Sequence, residues 1–355
     1  MTDTQLPGHS EQPLVAAYDT ALLDLDGVVY AGPAAIDHAV ASLDTARSAG
    51  MRLAYVTNNA SRPPRVVAEH LTELGVPAEP ADVINSAQAA ARLLADKLPA
   101  GAKVLVVGGP GLVEALAERG LVAVESLADE PAAVVQGFDP SVGWERLAEA
   151  AYAVARGLPW VASNTDMSIP TARGVAPGNG TLVAAVQAAT GAEPEVAGKP
   201  LPPMHRETVL RTGAKRPLVV GDRLDTDIEG AHNGGVDSLL VFTGVATPAQ
   251  LLGAPVRHRP TYLAADLRGL LEPHPAVTVR AAGGFDCRGR WAAVQDGELR
   301  VGVDASVVVE GAAGQVAGAD GRYDGLRALC AAAWAELDRT GEPVDGRKAL
   351  AELGF

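Results

Sequence analysis

The sequence predicts an α/β protein with a parallel-sheet core, a second α/β segment inserted into that core, and a small α+β module at the C-terminal end. Three observations predict it. Short apolar runs alternate with Ala-rich helical runs through most of the chain, the pattern of strands joined by crossover helices. Several of these runs close on polar or Gly-containing tripeptides, and in open α/β sheets ligands sit at the carboxyl ends of strands. Beyond Pro273-His274-Pro275 the pattern changes to brief β-type runs between Gly-rich turns.

The elements follow in order. Residues 1–17 read as a flexible N-terminus. The run 20–25 is the first strand, and 36–49 a helix ending at Gly50, the residue type that closes helices in the left-handed conformation. Residues 51–56 form the next strand, closing on Thr57-Asn58-Asn59, and 63–74 a helix ending at Gly75. A second series then begins: strand 103–107, helix 111–119, strand 132–135, helix 143–156 and strand 159–162. The core thus takes 18–84 and 176–272, with 85–175 as an insertion hanging over the strand ends as a lid. The core's later strands are 217–220, ending at Gly221-Asp222, and 238–242, ending at Thr243-Gly244. In 276–355, β runs are expected at 276–281, 291–294, 298–303 and 306–309. A helix carrying Tyr323, Leu326, Leu329, Cys330, Ala333, Trp334 and Leu337 at helical spacing follows them.

Composition narrows the function classes. A chain of 355 residues suggests two to three domains. The 48% hydrophobic and 20% charged content, with mean hydropathy +0.11, fits a compact fold. A net charge of -14 argues against nucleic acid or an anionic membrane as partner, so a site for an anionic substrate must carry its own positive charge. Cys287 and Cys330 lie far apart and lack metal spacing, which reads as two reduced thiols rather than a disulfide framework. Met1 to Leu14 show no basic and apolar leader pattern, and no uncharged apolar run reaches ~18 residues. The expectation is a cytoplasmic protein without a membrane span.

The chemistry concentrates in four places. Asp24 and Asp26 stand two apart at the tip of the first strand, on one side of it, with Gly27 next. Such a pair can share a hard cation, and one carboxylate can attack phosphorus. A calcium loop is the plainer alternative, but it needs further acidic ligands where Val28, Val29 and Tyr30 stand. Thr57-Asn58-Asn59 offers a hydroxyl and backbone amides to phosphate oxygens, or merely a turn. Lys199, one of only five lysines, is fixed between Gly198 and Pro200. It could hold a transferring phosphoryl group or be a solvated loop residue. Finally, Asp222, Asp225 and Asp227 crowd the segment after strand 217–220. Three acids in six residues exceed what helix capping requires and repel one another without a cation. A fifth string, Val107-Gly108-Gly109-Pro110-Gly111, invites a dinucleotide reading but misses the G-x-G-x-x-G spacing, and reads as an ordinary strand–turn–helix corner.

Together the ordered motifs resemble the haloacid dehalogenase superfamily of phosphohydrolases, over roughly 18–270. Asp24 matches the nucleophile, Asp26 the acid/base, Thr57 and Asn58 the second motif, Lys199 the third and Asp222 the fourth. The insertion resembles the C2 cap of the NagD and p-nitrophenyl-phosphatase-like branch. Gln136-Gly137-Phe138-Asp139, Ser163-Asn164-Thr165-Asp166 and Pro177-Gly178-Asn179-Gly180-Thr181-Leu182 support that branch. The resemblance implies a Rossmann-like hydrolase core and Mg2+, for which Mn2+ or Co2+ could substitute, held by Asp24, the Asp26 carbonyl and Asp222. It implies an aspartyl-phosphate intermediate, with Asp26 as proton donor and then acceptor. Thr57, Asn58, Asn59 and Lys199 would hold the phosphate, and Asp227 would orient the ligands from behind.

The lid loop Met167-Ser168-Ile169-Pro170 lacks the His of pyridoxal-phosphate phosphatases in this branch, so a small polyol phosphate is expected. The tail resembles the acetyltransferase-like region of bacterial C2-capped phosphatases acting on glycerol 3-phosphate, which makes that ester the leading substrate and glycerophospholipid recycling the setting. The nearest string to an acetyl-CoA pyrophosphate loop, Gly318-Ala319-Asp320-Gly321-Arg322, carries an acid, so the tail is read as a packing or self-association module. Alternatives on the same scaffold are pyridoxal-phosphate, 2-phosphoglycolate or nucleotide phosphatases; another is an acyl-CoA-binding regulatory protein. A homo-oligomer through the cap or the C-terminal module is expected to be compatible with all of them.

Overall fold

The computed structural model describes residues 5–171, 173–304 and 320–355. The expected run 306–309 and Gly318-Ala319 lie outside the described residues. The rest forms an α/β core built on parallel strands, and the chain divides into two compact units. One draws on Met1–Ala31, Ala35–Arg52 and Arg216–Phe355, the other on Gly32–Ala34 and Leu53–Lys215.

In the first unit, Thr20–Leu23 pairs with Pro217–Gly221, which pairs with Asp237–Val241, which pairs with Tyr262–Ala264, all parallel. All four residues of Thr20–Leu23 are buried, which is why the run is continuously apolar rather than alternating. The helix expected at 36–49 spans Ala39–Ser48, starting after His38 at φ 67°.

The C-terminal residues add an antiparallel sheet in the order Thr278–Val279, Phe285–Cys287, Arg290–Gln295, Glu298–Val303. Two of its turns have two residues, Arg288-Gly289 and Asp296-Gly297, with φ of 49° and 77°, and 51° and 77°. Positive φ at both positions is the hairpin geometry whose twist matches the strands, and Asp-Gly is among its strongest sequence signals. Asp320–Thr340 forms a 21-residue helix that buries Leu326, Leu329, Cys330, Ala333 and Trp334. These side chains do not form a core of their own. They pack in one cluster with Leu240, Leu251, Leu252 and Leu263 of the parallel-sheet region and with Cys287, Ala292 and Leu299 of the antiparallel sheet. Trp334 Nε1 donates to the Leu251 carbonyl at 2.9 Å, and Asp338 accepts two hydrogen bonds from the buried Arg259 guanidinium at 2.6 and 2.8 Å.

In the second unit, Arg52–Thr57 pairs in parallel with Val83–Asn85. A five-stranded parallel sheet follows in the order Glu195–Val196, Trp160–Ala162, Ala133–Gln136, Lys103–Val107, Val122–Val124. The helices Trp144–Ala155 and Asn179–Thr190 cover one face, closing a core around Leu105, Val134, Ala153, Trp160 and Val183. Ser168–Thr171 and Gly174–Pro177 form an antiparallel hairpin that sequence periodicity did not announce. Among the described residues no helix is long and apolar enough to cross a membrane.

Candidate active site

The first unit assembles carboxylates. The Asp24 N–H donates to the Val220 carbonyl at 2.9 Å, extending the parallel ladder to the point where the chain turns. The Leu25 carbonyl then accepts from the amides of Val28, Val29 and Tyr30, and Gly27 takes φ 85°. Gly27 is required twice over: a Cβ there would need a left-handed backbone and would lie 2.5 Å from Asp222 Oδ2. A Cβ at Gly244 would come within 2.0 Å of the same oxygen. Thr243 Oγ1 donates to the Gly27 carbonyl at 2.5 Å, and the Val245 N–H donates to Asp222 Oδ2 at 2.7 Å. Asp222 is therefore seated in a cradle of two glycines and a backbone amide. Asp26 is exposed beside this turn.

Asp227 joins them through an irregular helix. Leu224–Ile228 forms one turn of π-helix, in which the Ile228 N–H reaches the Arg223 carbonyl at 3.2 Å. Such turns occur mostly at functional sites because they re-aim a side chain. Here the turn sets Asp227 over Gly221, where a Cβ would stand 2.2 Å from the Asp227 Cβ. The middle acid, Asp225, pairs with Arg223 at 2.9 and 3.1 Å instead. Oxygens of Asp24, Asp222 and Asp227 lie within 4.8 Å of one another, with Asp222 and Asp227 buried. Three close carboxylates in low dielectric demand a cation, and an all-oxygen donor set suits a hard divalent ion such as Mg2+. The sequence placed Asp227 behind the ligands; the structure brings its oxygen into the same group.

The second unit gathers the neutral and basic candidates. Thr57 is buried at the end of its strand, and its Oγ1 accepts the Asn59 N–H at 3.1 Å. Asn59 Oδ1 accepts from the N–H and hydroxyl of Ser61 at 2.9 and 2.7 Å, a local turn. Lys199 Nζ donates to the Val56 carbonyl at 3.1 Å, and the Lys199 main chain is held by the Asn58 side chain.

Comparison with known proteins bears on this arrangement. Residues 21–122 match the family described as haloacid dehalogenase-like hydrolase, and 196–270 a second hydrolase family of the same type. The chain is 48% identical over 275 residues to the D-glycerol 3-phosphate phosphatase of Mycobacterium tuberculosis, covering 75% of this chain and 77% of that one. The chain belongs to the haloacid dehalogenase-like hydrolases. The acid sugar phosphatase of Staphylococcus aureus is 38% identical, covering 70% of this chain and 95% of that one. A crystal structure of the M. tuberculosis glycerol phosphate phosphatase in complex with magnesium superposes with a TM-score of 0.84 at 40% identity. That match covers 97% of this chain and 99% of the other, so the likeness includes the C-terminal region. The 4-nitrophenylphosphatase of Thermotoga maritima matches with a TM-score of 0.67 at 28% identity, over 73% of this chain and 98% of that one.

Sequence reasoning gave no role to several residues that shape the site of this hydrolase. Thr243, Gly244 and Val245 seat Asp222, and only the position of Thr243-Gly244 at a strand end hinted at it. Asn164, Asp166 and Asn179 appeared only as branch-marking strings, yet all three join the hydrogen bonds around Asn58 or its neighbour Asn164.

Proposed function

We propose that this hydrolase is a Mg2+-dependent phosphomonoesterase whose leading substrate is glycerol 3-phosphate, releasing glycerol and phosphate. The observation that carries the reading is the Asp24, Asp222 and Asp227 cluster at the strand ends. The 48% identical relative that acts on D-glycerol 3-phosphate supports the choice of ester. The side chains of Asp24, Asp222 and Asp227, with the Asp26 carbonyl, would hold the metal. When bound, Mg2+ supplies the positive charge that lets a carboxylate approach a phosphate dianion.

The chain's own residues do the rest. Asp24 attacks phosphorus in line, forming an aspartyl phosphate as the phosphorus–oxygen bond to the alcohol breaks. Asp26 gives its proton to the departing alkoxide, then takes one from the water that attacks the aspartyl phosphate and restores Asp24. Its exposure beside the cradle leaves the carboxylate open to the water that enters once the alcohol has left. Thr57, the Asn58 backbone amide and Lys199 steady the phosphoryl oxygens, a charge role in which an ammonium is effective.

The same reading places the enzyme in the cytoplasm, in keeping with the free thiols of Cys287 and Cys330. It also assigns a self-association surface to the helix Trp144–Ala155, where Trp144 and Tyr152, 76% and 53% exposed, lie two turns apart. Light scattering of wild type and Trp144→Glu checks that surface: a smaller particle in the variant supports it and an unchanged one removes it.

Phosphate release decides the main reading. The panel holds glycerol 3-phosphate, a sugar phosphate, pyridoxal phosphate, 2-phosphoglycolate and nucleoside monophosphates, each with Mg2+ or with EDTA. Metal-dependent release, fastest with glycerol 3-phosphate and lost in Asp24→Asn, is expected. A different best ester would overturn the substrate, and full activity of Asp24→Asn would overturn the mechanism.

A further inference from the structure

The side chain of Asn58 is already committed. Its Oδ1 accepts the Lys199 N–H at 2.7 Å, while its Nδ2 donates to the Lys199 carbonyl at 3.1 Å. Nδ2 also donates to the Asp166 carboxylate, at 3.2 and 3.4 Å. A primary amide has two N–H donors and one acceptor oxygen, and all of them are engaged. The partners also fix which way the amide faces, because turning it over would set N–H against N–H and oxygen against three oxygens. No Asn58 side-chain donor remains for a phosphate.

Asn58 is itself anchored. Its carbonyl accepts from Asn164 Nδ2 at 2.7 Å and from Ser86 Oγ at 2.6 Å. The Asn164 carbonyl accepts from Asn179 Nδ2 at 2.7 Å, and Asn164 Oδ1 takes the Asp166 N–H at 3.1 Å. Asn164, Asn179 and Ser86 are all buried. Gly198 completes the fit: a Cβ there would stand 2.7 Å from Asn58 Oδ1 and 2.6 Å from the Ser163 carbonyl.

We propose that Asn58, Asp166 and Asn164 are positioning residues that clamp the main chain of Lys199 and so fix the base of its long, flexible stem. The inference rests on the phosphatase reading, in which Lys199 meets the phosphoryl oxygens. It moves the Asn58 side chain from phosphate ligand to holder of the residue that is one. A lysine stem carries many rotamers, and a small misplacement of a charged group at a reacting centre costs much of its effect.

A double-mutant cycle tests it. Lys199→Ala alone is expected to lower kcat by about 100-fold or more. Asn58→Ala alone should lower kcat by about 10- to 50-fold, yet by less than about twofold in the Lys199→Ala background. Asp166→Ala should lose about tenfold, and Asp166→Asn, which keeps an acceptor for Asn58 Nδ2, should recover most of that loss. Hydrogen–deuterium exchange of the Lys199 amide gives a readout independent of turnover, and it should quicken about tenfold or more in Asn58→Ala. Equal losses from Asn58→Ala in both backgrounds, or a Lys199 amide that exchanges as in wild type, would overturn the proposal. Where Asn58→Ala does not fold, the Asp166→Ala and Asp166→Asn pair decides by the same exchange measurement. Wild type without metal-dependent phosphate release would instead strike the phosphatase reading, while the exchange measurement still judges the clamp.

Discussion

Acidification from pH 7 toward 4 is expected to cost the first unit about 3 kcal/mol through a single side chain, His274. The ring is 3% exposed. Its Nε2 lies 2.8 Å from the Gly269 carbonyl and its Nδ1 3.4 Å from an Arg327 nitrogen. A carbonyl only accepts and a guanidinium only donates, so the ring is neutral, with its proton on Nε2. Burial, and then the charges of Arg327 and Arg288, push its pKa from 6.5 down to about 4, against the Gly269 hydrogen bond, which raises it. The unfolded chain binds this proton near 6.5 and the folded chain only near 4. Stability is therefore complete above 6.5 and falls as the pH drops toward 4. At ~1.4 kcal/mol per pH unit that interval amounts to about 3 kcal/mol. Urea unfolding between pH 8 and 4 of wild type and His274→Gln measures it. Gln keeps a donor for Gly269 and cannot titrate. The variant should start weaker by about 1–2 kcal/mol, with a shallower fall below pH 6.5. Parallel curves across that window would refute the reasoning.

Other consequences follow from single contacts. Glu207 is fully buried between Arg92, Arg119 and Arg211. Burial would raise its pKa, but hydrogen bonds from Arg92 and Arg211 hold it below the ordinary value. Its contribution should be intact above the usual carboxylate range and fade as pH falls through its lowered pKa. Glu207→Gln should cost ~3–5 kcal/mol in urea unfolding, and a cost under ~1 kcal/mol would show the arginines to be solvated already. Gly244→Ala should lower kcat/KM by about 100-fold or more while costing ~1–3 kcal/mol of stability. The contact with Asp222 is the reason, and calorimetric Mg2+ titration should show weakened binding; unchanged affinity would mean the cradle yields. Trp334→Ala should cost ~3–5 kcal/mol, read by thermal unfolding of the full chain.

The sequence made much of this legible because one-dimensional patterns suffice for it. Buried parallel strands are continuous apolar runs, so 103–107 was read to the residue; the antiparallel 298–303, whose start is marked by the Asp296-Gly297 turn, was too, and most other strand ends lie within two residues. Asp24, Asp222 and Asp227 stood out by acid density and were brought together. The hairpin at 168–177 was not legible, because Met167 and Val175 are exposed, at 61% and 81%, and the segment carries no core periodicity. Asp227's place in the cluster depends on one extra residue in a helical turn, which spacing alone does not reveal. His274 was read only as a marker in Pro273-His274-Pro275. Its value comes from Gly269 and Arg327, the latter 53 residues away. The role of Asn58 was likewise hidden, since its partner Lys199 lies 141 residues on.

The C-terminal helix and antiparallel sheet look like an appendage in the sequence, yet Trp334, Leu326 and Leu329 share one core with Leu240, Leu251 and Leu263. An appendage with its own core can be shed, exchanged between genes or clipped by a protease while the remainder stays folded. One that supplies most of a common core has no such independence. Clipping the chain near 275 would leave the apolar flank of the hydrolase sheet facing water, so the remainder would be expected to aggregate rather than survive as a smaller enzyme. Such a tail matters even where it performs no chemistry, because the hydrolase sheet closes its core against it.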